Sequence, residues 1–127
     1  MVERTVEMYE FTSEETRLFK DVSGIYALLH EQEVIYVGQS KNIRDRLNKH
    51  RTMSIDSILS QIEREEGKCN RTKQLALYMY IESHREDIAF VVLKETDNRD
   101  KWEEHYITLF HPKFNYRGVD VPFVKAS

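Results

Sequence analysis

The stretch Gly24–Gly38, GIYALLHEQEVIYVG, is the part of the 127-residue sequence that decides the fold. Two short apolar runs, Gly24–Leu29 and Val34–Val37, flank the polar segment His30–Glu33. Strand-forming runs around a short polar connection indicate a β-hairpin, even though no Asn-Gly pair marks the turn. Gly38 interrupts the second run, so the second strand is expected to end there.

Further elements are predicted on both sides of the hairpin. Ser40 is expected to cap a helix from about Lys41 to Arg51 that turns Ile43, Leu47 and His50 inward. The later elements are predicted to be a helix over Ser54–Glu66, a loop over Gly67–Asn70, a helix from Thr72 to about Ser83, a strand over Ile88–Leu93 and a helix from about Arg99 to Phe110, before Pro112. The first twenty residues indicate one strand and one helical turn. This mixed order predicts an α+β fold, with a small antiparallel or mixed three-stranded sheet flanked by helices.

Length and composition predict one domain over residues 1–127. No apolar run approaches the ~20 residues that span a bilayer, and the first residues lack the pattern of a secretory signal. We therefore expect no membrane partner and a cytoplasmic location. Cys69 is the only cysteine, which excludes an internal disulfide and a cysteine-based zinc site. The histidines outside the Lys41–Arg51 segment are also expected to be too scattered for a metal site; they are His30, His84, His105 and His111.

Charge is unevenly distributed along the chain. The formal net charge is −3, from 19 basic and 22 acidic residues, which does not indicate a general nucleic-acid binder. The segment Lys41–Arg51, however, contains five basic residues and one acid. A basic patch on an acidic body can bind phosphates on one face of a protein, although charge alone favours a solvated helix face.

The order of several motifs resembles the GIY-YIG nuclease family. Gly24-Ile25-Tyr26 and Tyr36-Val37-Gly38 place their tyrosines ten residues apart, as in the family signature. The matching later segments are Lys41–Leu47 with Arg46 at the arginine position, Glu103–Ile107 with Glu103 at the glutamate position, and His111–Asn115 with Asn115 at the asparagine position. The resemblance to the family covers about residues 22–117. The chain also resembles the small phage endonuclease II group, but less closely. The resemblance implies a DNA endonuclease of bacterial or phage origin.

The helical pattern around Glu103 can be compared with that resemblance. On a helical wheel, Glu103 falls inside the apolar arc, whereas Glu104 falls outside it. That arc is formed by Trp102, Tyr106, Ile107, Leu109 and Phe110. A carboxylate in an apolar stripe is costly unless it is paired or binds a metal. The wheel alone also allows a boundary glutamate that reaches water or pairs with an arginine; the resemblance implies a ligand of Mg²⁺ or Mn²⁺.

The resemblance also implies the roles of the other site residues. Tyr26 is expected to take the proton of the attacking water, Tyr36 to organise that water, and Arg46 to hold the scissile phosphate. Gly38 and Asn115 are expected to support the site. The residues predicted to contact DNA are Lys41, Arg44, Arg46, Lys49, His50 and Arg51. Each has a simpler interpretation: tyrosines in a core, solvated basic residues, His50 as a helix cap, and Asn115 as a turn residue after Pro112.

Two expectations remain open at the level of function. The predicted activity is metal-dependent hydrolysis of DNA to 5′-phosphate and 3′-hydroxyl ends. The alternative is a catalytically idle DNA-binding or regulatory module on the same fold, since the sequence outside Lys41–Arg51 is acidic. A homo-oligomer is compatible with the sequence, which does not define the oligomeric state.

The register of the hairpin gives a specific structural prediction. Opposed residues of an antiparallel pair share a face, so placing Tyr26 across from Tyr36 requires a turn of odd length. The three-residue turn His30–Gln32, closed by a pair between Leu29 and Glu33, meets that requirement. A two-residue turn at Glu31-Gln32 would send the tyrosines to opposite faces unless a bulge intervened.

Overall fold

The strands form a four-stranded antiparallel sheet in the computed structural model. The structure describes residues 7–52, 56, 57, 60 and 71–116. At residues 71–74 and 116 it describes the backbone alone. The strands are β1 (Tyr9–Glu10), β2 (Gly24–His30), β3 (Glu33–Ser40) and β4 (Ile88–Glu95), in the order β1-β4-β2-β3. The α+β class is confirmed. The prediction of three strands was wrong, because a two-residue N-terminal strand pairs with the free edge of β4.

The helices agree with most of the predicted bounds. They are α1 (Ser13–Thr16), α2 (Ile43–Thr52), α3 (Arg71–Ser83), α4 (Arg99–Phe110) and α5 (Lys113–Tyr116), with 3-10 turns at Arg17–Phe19 and Arg85–Asp87. The predicted elements over Ser54–Glu66 and Gly67–Asn70 lie outside the described residues, apart from three helical positions at 56, 57 and 60. None of the helices in the described ranges is long and apolar enough to cross a membrane.

The cap of α2 differs from the prediction. Strand β3 continues past Gly38 as far as Ser40, so Ser40 is not the residue before the helix. Asn42 takes that position, and its Oδ1 accepts a hydrogen bond from the backbone N–H of Asp45 at 3.4 Å. Ser40 Oγ instead accepts from the backbone N–H of Asn42 at 3.0 Å and fixes the turn between strand and helix.

The sheet has an apolar core on each face, and β2 contributes to both. One core contains Tyr26 and Leu28 of β2 together with residues of α2 and α3. The other contains Ile25 and Ala27 of β2 with partly buried residues of α4. Six of the seven residues of β2 are buried. Because a central strand covered on both faces is apolar throughout, the continuous run in the sequence is explained by this position.

The hairpin turn is shorter than predicted, and a bulge compensates for it. Glu31 and Gln32 form a two-residue turn with φ values of 51° and 70°, and His30 pairs with Glu33. The register then shifts so that Leu29 pairs with Val34 but Leu28 pairs with Tyr36. The extra residue brings Tyr26 and Tyr36 to the same face, with Gly38 opposite Tyr26. The predicted odd turn was wrong.

Helix α4 packs with fewer residues than its apolar arc predicts. Trp102, Tyr106 and Ile107 are partly buried against the sheet. Leu109 and Phe110 are 62% and 39% exposed, so their predicted inward orientation was wrong. The final turn lies beyond the apolar core that the rest of the helix covers. The helix ends as predicted before Pro112.

Candidate active site

Two tyrosine rings pack directly over Gly38. The backbone of β2 and β3 brings Tyr26 opposite Gly38, and Tyr36 lies diagonally beside it with the two ring centroids 6.3 Å apart. A Cβ at Gly38 would overlap Tyr26 Oη and lie 2.6 Å from Tyr26 Cζ and 2.9 Å from Tyr36 Cε2. The absence of a side chain at this position is therefore what lets both hydroxyl-bearing rings share one site.

Tyr26 forms a buried pair with His50 from α2. Tyr26 Oη lies 2.6 Å from His50 Nε2, and the two residues are 0% and 2% exposed. Burial raises the pKa of Tyr26 well above its usual value, partly opposed by Arg46. Burial, with the positive charges of Arg46 and Lys49, lowers the pKa of His50 to about 3. His50 is therefore neutral at physiological pH, and its predicted contact with a DNA phosphate was wrong because it has almost no exposed surface.

Arg46 and Tyr36 lie on the more accessible side of the pair formed by Tyr26 and His50. Both are half-buried, and the positive charge of Arg46 acts on the hydroxyls of Tyr26 and Tyr36. Burial raises the pKa of Tyr36, whereas Arg46 lowers it. Burial lowers the pKa of Arg46, but the neighbouring Tyr26, Tyr36 and Tyr78 raise it by more. The net shift is upward, so the guanidinium stays charged. As its position on α2 suggested, Arg46 leans towards the hairpin.

Glu103 lies beside Arg46 and Tyr36, and Asp100 supplies a second carboxylate next to it. The Nε2 of Gln39 on β3 donates hydrogen bonds to Glu103 Oε1 at 3.2 Å and to Asp100 Oδ1 at 2.7 Å. Burial raises the pKa of Glu103, as does Asp100, while Gln39 and Arg46 lower it. Two carboxylate oxygens that share one amide group offer the hard donors that Mg²⁺ prefers, so these residues fit a divalent cation.

Asn115 attaches the C-terminal helix α5 to the same strand. Its Oδ1 accepts from the backbone N–H of Val37 at 2.8 Å, and its Nδ2 donates to the Val37 carbonyl at 2.8 Å. Val37 lies between the two site residues Tyr36 and Gly38. Asn115 therefore holds the backbone of the site and lies in a helical turn after Pro112, so both interpretations of this residue describe part of its position.

Comparison with known proteins identifies the family. The model of the GIY-YIG catalytic domain matches residues 22–117. The chain belongs to the GIY-YIG family. It is accordingly a GIY-YIG endonuclease domain, and the matched range coincides with the motifs on the hairpin, α2, α4 and α5.

Related sequences and structures agree with this assignment. UvrABC system protein C of Pseudoalteromonas atlantica is 29% identical over 108 residues, which cover 82% of this chain and 15% of that protein. The fold is similar to a point mutant of the GIY-YIG N-terminal endonuclease domain of UvrC from Thermotoga maritima, bound to its catalytic divalent cation; the TM-score is 0.52 at 16% identity, over 82% of this chain and 93% of that one. The same UvrC domain bound to magnesium gives a TM-score of 0.50 at 16% identity, over 80% and 92% of the two chains.

The basic residues of this GIY-YIG domain are only partly available for DNA. Lys41 and Lys49 are exposed. Arg44 is half-buried and pairs with Asp45 at 2.8 Å, and Arg51 is half-buried as well. Arg85, which the sequence did not single out, joins this end of α2 by donating from Nη1 to the Arg51 carbonyl at 2.8 Å.

Several residues of the GIY-YIG site were missed by the sequence analysis. Gln39 bridges the carboxylates, and its Oε1 accepts from Arg99 Nε at 3.1 Å. Arg99 Nη1 in turn donates to Ser23 Oγ at 3.0 Å. Asp100 was detectable, because it precedes Glu103 by three residues and so shares its helix face. Gln39 and Arg99 carry no comparable signal, since their pairing depends on how α4 packs against the sheet.

The prediction about the histidines was wrong in one respect. His30 and His84 lie together near Asp87, far along β2 from Tyr26. They were judged too scattered because 54 positions separate them in the sequence, from 30 to 84. The tertiary fold brings the end of β2 to the end of α3.

Proposed function

We propose that this domain hydrolyses phosphodiester bonds in DNA with the help of a divalent cation, leaving 5′-phosphate and 3′-hydroxyl ends. The observation that carries the proposal is that the hydroxyls of Tyr26 and Tyr36, the Arg46 guanidinium and the Glu103 carboxylate form one chain of electrostatic contacts. Glu103 and Arg46 influence each other's charge, and Glu103 also acts on Tyr36. Hydrolysis requires a proton acceptor, a phosphate ligand and charge neutralisation close together, and this group contains all three.

Arg46 is the proposed phosphate ligand. Its guanidinium is permanently charged and presents paired N–H donors that match phosphate oxygens. In the free protein these donors face the tyrosine hydroxyls. A phosphate that binds Arg46 would share these donors with the tyrosine hydroxyls.

Tyr26 is the proposed proton acceptor, and Tyr36 the residue that orients the attacking water. Because Tyr26 is 0% exposed, substrate binding must open the site before water reaches its hydroxyl. His50 fixes the position of Tyr26 Oη from behind. The cationic groups at the site favour the phenolate, which opposes the effect of burial on the pKa of Tyr26.

Glu103 is the proposed metal ligand, with Asp100 beside it. Mg²⁺ is the proposed cation, with Mn²⁺ as a substitute, because both bind oxygen donors. When bound, the cation supplies positive charge to the phosphate and to the leaving 3′ oxygen. Gln39 holds the two carboxylates at a fixed spacing through one amide group.

The test is cleavage of supercoiled plasmid and of a short branched DNA by the purified chain, with Mg²⁺, with Mn²⁺ and with EDTA. We expect conversion of DNA only with metal. The variant Glu103→Gln should lose cleavage, while the matched control Glu104→Gln, on the exposed side of the same helix, should cleave like the wild type. If the ends are as proposed, a kinase will label the products only after phosphatase treatment.

Two outcomes contradict the proposal. Cleavage that survives in Glu103→Gln but not in Glu104→Gln would reverse the assignment of the metal ligand. DNA binding by the wild type without cleavage under any metal condition would favour the catalytically idle module.

A further inference from the structure

A second group of ligand-type side chains lies at the turn end of the hairpin. One ring nitrogen of His30, one of His84 and one carboxylate oxygen of Asp87 all lie within 4.8 Å of one another. His30 ends β2, four residues beyond Tyr26, which corresponds to about 13 Å along an extended strand. The group is therefore separate from the carboxylates at Glu103.

The three residues come from three segments whose backbones are well fixed. His84 follows α3, and its N–H donates to the carbonyls of Tyr80 and Ile81 at 3.1 and 3.2 Å. Asp87 lies in the next 3-10 turn, and its N–H donates to the His84 carbonyl at 2.8 Å. His30 is held by β-pairing to Glu33 on one side and Ile88 on the other. Little main-chain ordering is then needed to bring the ligands together.

The imidazole rings are also oriented by their neighbours. Tyr80 Oη lies 2.5 Å from His30 Nδ1. The His84 ring contacts both His30 and Tyr80, with centroid distances of 4.4 and 4.5 Å. When one ring nitrogen of His30 binds an ion, Nδ1–H can donate to Tyr80 Oη, and such an outer hydrogen bond orients histidine ligands in metal sites.

One positive charge near the group opposes cation binding. Lys113 Nζ lies over the Tyr80 ring, 4.3 Å from its centroid. The ammonium contacts the aromatic face rather than pairing with Asp87 among the described ion pairs. The Asp87 carboxylate is exposed and remains the negative partner for a cation at this group.

We propose that His30, His84 and Asp87 form a Zn²⁺ site, with water as the fourth ligand. Two imidazoles and one carboxylate are a common zinc donor set, whereas Mg²⁺ prefers oxygen donors. Ligand atoms of a tetrahedral zinc centre lie about 3.3 Å apart, so the side chains must close by up to about 1.5 Å. Side-chain rotation supplies this movement, since none of the three residues is fully buried.

Zinc at this position joins the end of the hairpin to the end of α3. These two segments are distant in sequence, and the bound ion would add side-chain links to the backbone pairing between His30 and Ile88. Binding to the folded state raises the thermal midpoint with the ion concentration. At a hundredfold excess over Kd the expected increase in Tm is on the order of 5–10 °C.

The test uses the full chain without a histidine tag, titrated with Zn²⁺ by calorimetry and with Co²⁺ by visible absorption. We expect one equivalent of bound Zn²⁺ and a rise in Tm. The variants His84→Gln and Asp87→Asn should each weaken binding at least about tenfold and remove the rise in Tm. The matched controls are His105→Gln, an exposed histidine on α4, and Glu86→Gln, the exposed carboxylate before Asp87; both should bind like the wild type.

The result is independent of cleavage. Glu103→Gln should retain the zinc equivalent, so failure of the proposed nuclease activity does not affect this test. Wild type that binds no zinc, or His84→Gln and Asp87→Asn that both bind as tightly as the wild type, would overturn the proposal. Asp87 is exposed and His84 is half-buried, and unchanged circular dichroism will show that each variant is folded.

Discussion

At the scale of single residues, the site combines a deeply buried tyrosine with a more accessible one. Sequence analysis gave them different roles, with Tyr26 as the proton acceptor and Tyr36 as the residue that organises the water. The structure distinguishes them, because Tyr26 contacts His50 in the core and Tyr36 reaches the surface beside Arg46. Their substitution by phenylalanine retains ring packing, and Tyr26→Phe also removes the hydrogen-bond partner of the buried His50.

Tyr26→Phe is expected to lower the cleavage rate by about 10²–10⁴-fold, the usual contribution of a positioned general base. Tyr36→Phe should lower the cleavage rate by a smaller factor. The wild-type rate should climb on the alkaline side as Tyr26 loses its proton, and burial places that limb at high pH because it raises the pKa. The measurement is kcat against pH for both variants, with Tyr106→Phe as a control outside the site. A larger loss in Tyr36→Phe would make Tyr36 the proton acceptor.

His50 predicts a loss of stability in acid. The unfolded chain protonates this histidine near pH 6.5, but in the folded protein its pKa is about 3. As the pH falls from 6.5 towards 3, the unfolded state gains a proton that the folded state does not, so the free energy of unfolding falls by roughly 3–5 kcal/mol. Urea unfolding of the wild type and His50→Gln at pH 7 and pH 4 measures this effect.

The acid-induced loss should shrink in His50→Gln and persist in His105→Gln, whose histidine is exposed. Equal losses in wild type and His50→Gln would mean that His50 is not the source of the acid sensitivity.

At the scale of elements, sequence predicted the types well and the connections poorly. The bounds of α3 and α4 follow from apolar periodicity and from Pro112, which depend only on local sequence. The bulge in the hairpin and the cap at Asn42 depend on packing between elements. The same is true of the Gln39 bridge and of the contact between His30 and His84, since each joins segments that are distant along the chain.

Gly38→Ala tests the packing of the hairpin. The added Cβ would overlap the Tyr26 hydroxyl and approach the Tyr36 ring, and the buried Tyr26 ring has no free space to move into. We expect a loss of about 1–3 kcal/mol in the free energy of unfolding. A shift of the rings should also lower kcat by about 10²-fold. Denaturant unfolding and cleavage rates measure the two effects.

The double variant Tyr26→Phe/Gly38→Ala supplies the control. It removes the closest atom, Tyr26 Oη, and should recover part of the stability lost in Gly38→Ala. A single Gly38→Ala variant as stable and active as the wild type would show that the rings do not need the glycine.

At the scale of the whole molecule, the basic segment Lys41–Arg51 lies on one face of the sheet. Helix α2, which carries the basic segment, packs on the face of Tyr26, and α4 packs on the other face. Lys41 and Lys49 are the exposed lysines of that segment. DNA is therefore expected to approach the α2 face, with the acidic remainder of the chain limiting contacts elsewhere.

Binding to DNA should weaken steeply with salt, since each phosphate contact contributes about −0.9 to the slope of log K against log salt concentration. Lys49→Gln should reduce this slope by about one unit. Lys101→Gln, which removes an exposed lysine on α4, should leave it unchanged. Fluorescence anisotropy with a labelled duplex at several salt concentrations measures the slopes. Affinity that is insensitive to salt would exclude the α2 face as the phosphate contact.

The two hydrogen bonds between Asn115 and Val37 also have a consequence for solubility. Strand β3 is at the edge of the sheet, and an unpaired edge offers N–H and carbonyl groups to a strand of another molecule. The Asn115 amide occupies both groups of Val37, as a neighbouring strand would. Asn115→Ala should thus promote aggregation that increases with protein concentration, measured by light scattering, whereas Asn98→Ala should not. Equal scattering from both variants would show that the amide does not protect the edge.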